Sequence, residues 1–437
     1  MTVTSGLPHG WTETTFGAVV STVSTNEKKL PRGQYLESGR FPVVDQGQRF
    51  IGGYSDDADR VISQDLPLLV FGDHTRAFKY LDQPFVPGAD GVKVLKPLGV
   101  DAKWLYLIAH ALDFPDKGYA RHFQHLNTAT LFVPPLPEQR QIVAEIEKQF
   151  TRLEAGVAAL RRVQANLKRY RAAVLKAACE GRLVPTDAEL AKTGKRKSTF
   201  ETGEALLARI LTERRKNWQG PGHYKEPTTS ATTNLPPLAE GWTWASVSQV
   251  SATIVDCPHS TAKFVEAGHP CVDTTCIKPG RIVRKDLRFV SQATFQVRVQ
   301  RLVPAAKDII FAREGTVGTA VAVPPDLQPC LGQRVMLMRP DTCIAPRYFE
   351  HSLNSHAIRS QYLPKIVGST APHLNVAEVK QLAIPLPPLA EQTRIVAEVE
   401  RRLSVVEEVE AVVSANLQRA TRLRQSILQK AFTGELV

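Results

Sequence analysis

Cys257, His259, His269, Cys271 and Cys276 put five thiols and imidazoles into one stretch of 20 residues, the side-chain types that bind zinc. Their spacing fits no familiar zinc finger, and the first half of the chain has no counterpart, so no metal is expected. The six cysteines (Cys179, Cys257, Cys271, Cys276, Cys330, Cys343) contain no CxxC pair and do not suggest a disulfide framework. Catalytic signatures are equally missing. There is no Walker-A loop, GxSxG elbow, HExxH or GxGxxG, nor the Asn/Asp-Pro-Pro-Tyr/Phe segment that adenine methyltransferases place against a flipped base. No carboxylate pair stands at a spacing that asks for acid–base work. We therefore expect no catalytic residue and read the chain as a binding protein.

Composition narrows what it binds. The 55 Lys plus Arg against 43 Asp plus Glu leave a net charge of +12, which favours a polyanion, with nucleic acid the leading candidate and a merely basic soluble protein the plain alternative. Apolar content of 43% is that of a folded protein, and no stretch has the apolar length of a membrane span. The N-terminal MTVTSGLPHGW has neither the basic start nor the apolar core of a secretory signal, so a cytoplasmic location and no membrane partner are expected.

The elements that must carry the binding residues are set by an internal repeat. EQRQIVAEIE (138–147) and EQTRIVAEVE (391–400) are identical at seven of ten positions, at an offset of 391 − 138 = 253. A period this long implies two homologous halves rather than a solenoid. Downstream, Ile146, Leu153, Leu160, Leu167 and Val174 recur every seven residues, and Val399, Val406, Val413, Ala420 and Ile427 are their offset partners. Intermediate apolar residues (Ile142, Phe150, Val157, Tyr170; Ile395, Leu403, Val409, Leu417, Leu423) complete a 3-4 spacing, which predicts two long helices with facing, antiparallel coiled-coil seams. PPLPEQ and PLPPLAEQ place prolines where a helix tolerates them, at its start, and Gly181 and Gly434 stand at helix-ending positions. The second helix is expected to return to the first domain, in a near two-fold, almost circular layout.

The other segments mix β-branched and aromatic runs with Gly, Pro and Asp, and read as compact α/β or mainly β domains. Each opens with Gly-Trp-Thr (Gly10 and Gly241) and closes with His-Leu-Asn (125–127 and 373–375). The expected order is a domain at 1–135, a helix at 136–184, a basic linker with a short helix at 185–234, a second domain at 235–387 and a second helix at 388–437. The fold class is α+β, with a pseudo-two-fold internal repeat.

Two dissimilar domains, each followed by a near-identical helix opening on P-L-(P/A)-E-Q-x-x-I-V, in a basic chain without catalytic motifs, resemble the specificity subunit of a type I restriction-modification system. FPVVDQGQ (41–48), VFGDHTR (70–76), VDCPHST (255–261) and FAREGTVG (311–318) support the resemblance, which covers essentially the whole length. It implies two target-recognition domains that each read half of a bipartite site in double-stranded DNA, with the helices as spacer and as dock for two methylation subunits. It implies restriction subunits as further partners. S-adenosylmethionine would belong to the methylation subunit, ATP and Mg to the restriction subunit, and no cofactor to this chain. Adenine N6 methylation and cleavage would then be partner chemistry that this chain directs. A coiled-coil scaffold or a stand-alone DNA-binding protein is the alternative.

Under that resemblance, residue type selects candidates for DNA contact, because Arg reads guanine, Gln and Asn read adenine, and Lys, Arg, Ser and Thr hold phosphates. In the first domain they are Gln46, Gln48, Arg49, His74, Thr75, Arg76, Lys79, Arg121, His122 and Gln124. In the second they are His259, Ser260, Thr261, Lys263, Arg313, Glu314, Thr316, Gln333, Arg334, Ser369 and Thr370. Nearby glycines suit loops that approach a backbone closely.

Overall fold

A computed structural model describes residues 8–89, 91–112, 118, 120–195, 200–220, 222–366, 370 and 372–437. They form two compact units, Met1–Val163 with Val412–Val437, and Gln164–Ala411. No helix among the described residues is long and apolar enough to cross a membrane.

In the first unit, β1 (Thr12–Thr15) pairs with β9 (Thr130–Val133). A four-stranded antiparallel sheet runs in the order β2 (Val20–Val23), β8 (Val92–Pro97), β5 (Leu68–Gly72), β6 (Phe78–Leu81). The LLVFG run of β5 is buried along its whole length, as a strand covered on both faces must be. A smaller sheet has the order β4 (Gly53–Ser55), β3 (Phe41–Val44), β7 (Val86–Pro87), with β3 and β7 parallel. Asp101 caps α1 (Ala102–Ala109) by accepting the Trp104 amide at 2.9 Å, and the helix lays Trp104, Leu105 and Ile108 over Leu69, Phe71 and Leu95. The short α2 (Phe123–Asn127) adds Leu126 to the same core.

The second unit repeats this frame. β10 (Thr243–Ser246) pairs with β21 (Ala383–Leu386), and the four-stranded sheet has the order β11 (Ser251–Asp256), β20 (Val335–Pro340), β17 (Ile309–Ala312), β18 (Ala320–Ala322). The smaller sheet has gained a strand, with β12 (Phe264–Val265), β16 (Arg288–Val290), β13 (His269–Val272) and β19 (Cys330–Leu331), and β13 again runs parallel to its neighbour β19. A hairpin of β14 (Ile277–Lys278) and β15 (Arg281–Ile282) is added as well. Helices α6 (Val247–Val250), α7 (Gln292–Val299), α8 (Pro346–Leu353), α9 (His356–Ile366) and α10 (Val376–Lys380) complete it.

The stretch read as a linker carries two helices with buried faces. Thr186 and Glu189 form a capping box at the start of α4 (Asp187–Lys192). Leu206 and Ile210 of α5 (Gly203–Lys216) enter the core beside Ala245, Ile384 and Leu386. Gly203 lies so close to the Leu386 carbonyl that any side chain would collide with it. Of the basic residues in the KTGKRK run (192–197), Lys192 and Lys195 are exposed, and Arg196 and Lys197 lie outside the described residues.

The long helices are α3 (Leu136–Cys179) and α11 (Leu389–Thr433), and each passes from one unit into the other. In the first unit Ile142, Ile146 and Phe150 from the start of α3 share a core with Ile427, Leu428 and Ala431 from the end of α11. In the second, Val174, Leu175 and Ala178 pack with Ile395, Val399 and Leu403. All ten heptad residues named above are buried or half-buried. Two of the intermediate positions are not: Tyr170 is 45% and Leu423 48% exposed, so the apolar stripe is narrower than the spacing predicts. Both helices end alike. Arg182 N–H reaches the Ala177 carbonyl at 3.0 Å and Glu435 N–H the Lys430 carbonyl at 2.8 Å, around Gly181 (φ 69°) and Gly434 (φ 76°), a left-handed turn that suits glycine.

The repeated Glu-Gln pair joins each helix to its domain. Trp11 Nε1 donates to Glu138 Oε1 at 2.9 Å, and Trp242 Nε1 donates to Glu391 Oε1 at 2.9 Å. Gln139 accepts the Asp101 amide at 2.7 Å and donates to the Pro134 carbonyl at 2.9 Å; Gln392 does the same to Ala345 (2.9 Å) and Pro387 (3.0 Å). In both units the glutamine thus satisfies the amide that precedes a helix, α1 or α8. We expect Gln392→Ala to orphan two buried backbone groups and cost about 2–3 kcal/mol. Urea unfolding measures this, and a loss below about 0.5 kcal/mol, the range of ordinary surface changes, would count against the joint.

Candidate nucleic-acid interface

The four-stranded sheets position the candidate residues on turns at one end of their strands. In the first unit the loop after β3 (45–52), the β5–β6 turn (73–77) and the segment leading into α2 (120–124) come together. Gln46 accepts the His74 amide through Oε1 at 3.4 Å and the Thr75 hydroxyl through its carbonyl, while Gln48 Nε2 donates to the Thr75 carbonyl at 3.3 Å. A side chain at Gly72 would run into the Thr75 hydroxyl and the Gln46 carbonyl, so the close approach of these two loops requires glycine. His74 Nδ1 lies 3.2 Å from the Ala120 carbonyl and ties in the third segment.

Two candidates here serve the frame. Lys79, 3% exposed, donates to the carbonyls of Asp45 (2.7 Å) and Arg49 (2.6 Å), so the β6 strand holds the loop through a buried cation. Burial pushes its ammonium pKa down, and the Asp45 carboxylate at 3.6 Å partly offsets this. His122, 1% exposed, places Nδ1 3.0 Å from the Asp73 carbonyl, and the next amide, Phe123, donates to the Asp73 carboxylate at 2.7 Å. Both have the residue types of DNA contacts, but neither side chain has a surface to offer. Gln48, Arg49, Arg121 and Gln124 are exposed, and Gln46, His74, Thr75 and Arg76 are half-buried.

In the second unit the segment after β11 (257–263), the β17–β18 turn (313–319) and the β19–β20 connection (332–334) meet. Gln333 donates to the His259 carbonyl at 3.4 Å and accepts from the Thr261 hydroxyl at 3.3 Å. Arg298, buried on α7, donates to the carbonyls of Leu331 (2.7 Å) and Ser260, and so holds both loops from beneath. Arg313 was expected at the surface and is 6% exposed, its guanidinium 2.8 Å from the Asp256 carboxylate and 3.1 Å from the Leu374 carbonyl. Arg334 lies 3.3 Å from Glu314. His259, Ser260, Thr261, Lys263, Thr316, Arg334 and Thr370 are exposed, Glu314 and Gln333 are half-buried, and Ser369 lies outside the described residues.

Backbone register shows which positions correspond. Asp73 N–H donates to the Gly91 carbonyl (2.7 Å) as Arg313 N–H does to Arg334 (2.8 Å), and Gly88 N–H donates to Val44 (2.8 Å) as Gly332 N–H does to Val272 (2.7 Å). Val44-Asp45 and Val272-Asp273 are therefore equivalent, and each aspartate accepts the amide two residues on, Gly47 at 2.8 Å and Thr275 at 2.9 Å. Their cations differ. Lys79 accompanies Asp45, and Arg288 accompanies Asp273. Burial alone would raise the Asp273 carboxyl, but the Thr275 hydroxyl and amide and the Arg288 guanidinium outweigh it and bring its pKa below the ordinary value. Sequence reasoning missed Thr274 and Thr275, which occupy the place of Gln46 and Gly47 at the rim. The signal was the shared Val-Asp after an apolar run, in PVVDQG and PCVDTT.

No metal site forms among the described residues: no three His, Cys, Asp or Glu side chains gather to hold an ion. Cys257, Cys271 and Cys276 are buried, His259 pairs with Asp256 at 3.3 Å, and His269 stacks on Phe295 at 4.3 Å. Each unit instead presents a rim of exposed Arg, Gln, His, Ser, Thr and Lys on loops fixed from below. Such a rim is equipped to donate to phosphates and base edges.

Known proteins resemble this chain in sequence and in fold. Residues 277–404 match the type I restriction modification DNA specificity domain. The chain is 27% identical over 325 residues to the type I restriction enzyme EcoBI specificity subunit of Escherichia coli, covering 72% of this chain and 60% of that protein. It is 25% identical over 316 residues to the EcoKI specificity subunit of Escherichia coli strain K12, covering 70% and 57%. The chain thus spans about three-fifths of the length of the relatives it matches. A solved structure from work on complex assembly and conformational transition of the type I R-M system shares the fold over 99% of this chain and 100% of its own, with a TM-score of 0.60 at 20% identity. The chain is thus similar to specificity subunits of type I restriction enzymes over about seven-tenths of its length, and its residues 277–404 match a DNA specificity domain.

Proposed function

We propose that this chain is the non-catalytic targeting subunit of a type I restriction-modification complex. Each unit reads one half of a bipartite duplex site, and the long helices set the gap and dock two methylation subunits. S-adenosylmethionine then belongs to those subunits, ATP and Mg to restriction subunits, and the complex works in the cytoplasm. The observation that carries the reading is one sheet frame, present twice, with different exposed hydrogen-bonding side chains on corresponding turns. A repeated frame suits one kind of ligand, and exchanged side chains suit two sequences of it. The charge of +12 and the match to a DNA specificity domain point to DNA as that ligand.

The test is selection from random-sequence duplex DNA by the full chain reconstituted with the methylation subunit. We expect two short half-sites at a fixed separation; one continuous motif, or none, would overturn the reading. Adding one heptad after Leu160 and one after Val413 lengthens each helix by about 10 Å, or about three base pairs of duplex, and should change the gap while leaving both half-sites intact.

A further inference from the structure

Arg334 holds a conformation that its residue type resists. Its φ of 69° lies in the left-handed region, where a Cβ crowds the following carbonyl. The equivalent position in the first unit is Gly91, with φ of 68°, and both residues offer their carbonyl to the first amide after the central strand. The frame therefore demands a left-handed residue here, and glycine meets that demand with least strain. The second unit has arginine instead.

The other left-handed non-glycine residues among those described differ from Arg334 in their place in the frame. Asp65 and Lys307 occupy turns just before β5 and β17 in the two units, and Arg76 closes the β5–β6 turn through its amide to the Gly72 carbonyl at 2.8 Å. Arg334 stands where the other unit keeps glycine, and packing does not account for it. Its side chain is 59% exposed, and the Glu314 carboxylate at 3.3 Å is itself 41% exposed. A solvent-screened pair of this kind holds a side chain loosely. Its chain neighbour Gln333 bonds His259 and Thr261, and its ion partner Glu314 lies on the same turn as Thr316. Strain kept without a packing return points to an outward role.

We infer that Arg334 is a specificity-determining residue of the second unit, whose guanidinium leaves Glu314 to donate its two-pronged hydrogen bond to the major-groove edge of a guanine. Planar, two-pronged donation matches guanine O6 and N7, and lysine cannot reproduce it. This rests on the reading of the chain as a DNA-targeting subunit. It also makes the halves unlike: Gly91 has no side chain, so the first unit reads from its other loops.

The deciding experiment carries Arg334→Gly and Arg334→Lys through selection on random-sequence duplex DNA, using the full chain with the methylation subunit, with thermal unfolding measured alongside. Expected for Arg334→Gly is a Tm equal to or above that of the parent, with preference for guanine at one position of one half-site falling about 10- to 100-fold. The other half-site stays unchanged, and Arg334→Lys loses the same preference while keeping its charge. Unaltered preference in Arg334→Gly overturns the inference and leaves the targeting reading standing. A lowered Tm with evenly weakened binding to all sequences assigns a structural or phosphate role, and overturns it too. If the parent protein itself selects no bipartite site, the targeting reading falls and the inference falls with it.

Discussion

Arg313→Ala is expected to destabilise the second unit by about 3 kcal/mol, the low end for breaking a buried ion pair. The guanidinium touches the Asp256 carboxylate at 2.8 and 3.1 Å and the Leu374 carbonyl at 3.1 Å, so its loss leaves a largely buried anion with the exposed His259 beside it. The low end applies because Asp256 keeps a little solvent contact. Hydrogen exchange at the amides of β17 and β20 reads the loss where it occurs. Arg313→Met combined with Asp256→Leu should recover most of it, since an apolar pair of similar size leaves no charge unmatched. A single-variant loss below about 1 kcal/mol would mean that water reaches Asp256 freely and that Arg313 is no anchor.

Acid should weaken the same unit through His351. Burial on α8, with the Arg347 and Arg171 guanidinium groups facing it, pushes its pKa down to about 3 from an ordinary value near 6.5. The folded value is depressed, so unfolding takes up a proton between those limits. The stabilisation is whole above about pH 6.5 and is lost as pH falls toward 3. Between pH 7 and 4 the parent should lose about 3 kcal/mol more than His351→Leu, which fills the same space without titrating. Glu350, whose carboxyl is raised by burial, acts in the opposite sense but is common to both proteins and cancels in the comparison. Urea unfolding at the two pH values decides; equal losses in the two proteins would mean that the imidazole is hydrated.

The helices were legible because their signal is local and redundant. Ten heptad positions, two proline-bounded starts and two terminal glycines agree on each boundary, and a misread residue such as Tyr170 or Leu423 changes nothing. The rims were legible as regions but not as side chains. Lys79, His122 and Arg313 have the types expected of DNA contacts, yet β6 turns Lys79 inward, while His122 and Arg313 answer carbonyls brought from distant segments. Such partners are invisible without register. Asp45 and Asp273 show the same limit, because their equivalence appears only when Gly88 and Gly332 are seen donating to the residues before them. The Lys, Thr, Gly and Pro content of 185–234 points to a linker. Leu206 and Ile210 are too few to outweigh that composition until the pocket that takes them is known.

The Glu-Gln joints have one more consequence. The residues most alike in the two halves face inward, toward Trp11 and Trp242 and toward the amides of Asp101 and Ala345. At the joint itself the likeness is turned inward, and only farther along do Ala144 and Glu147 and their counterparts Ala397 and Glu400 repeat on an exposed face. Beside the pair stand Arg140-Gln141 at one joint and Thr393-Arg394 at the other, so each joint carries one arginine, shifted by one residue. A surface that bound both joints alike would therefore have to rest on the repeated Ala144 and Glu147 positions rather than on the arginines.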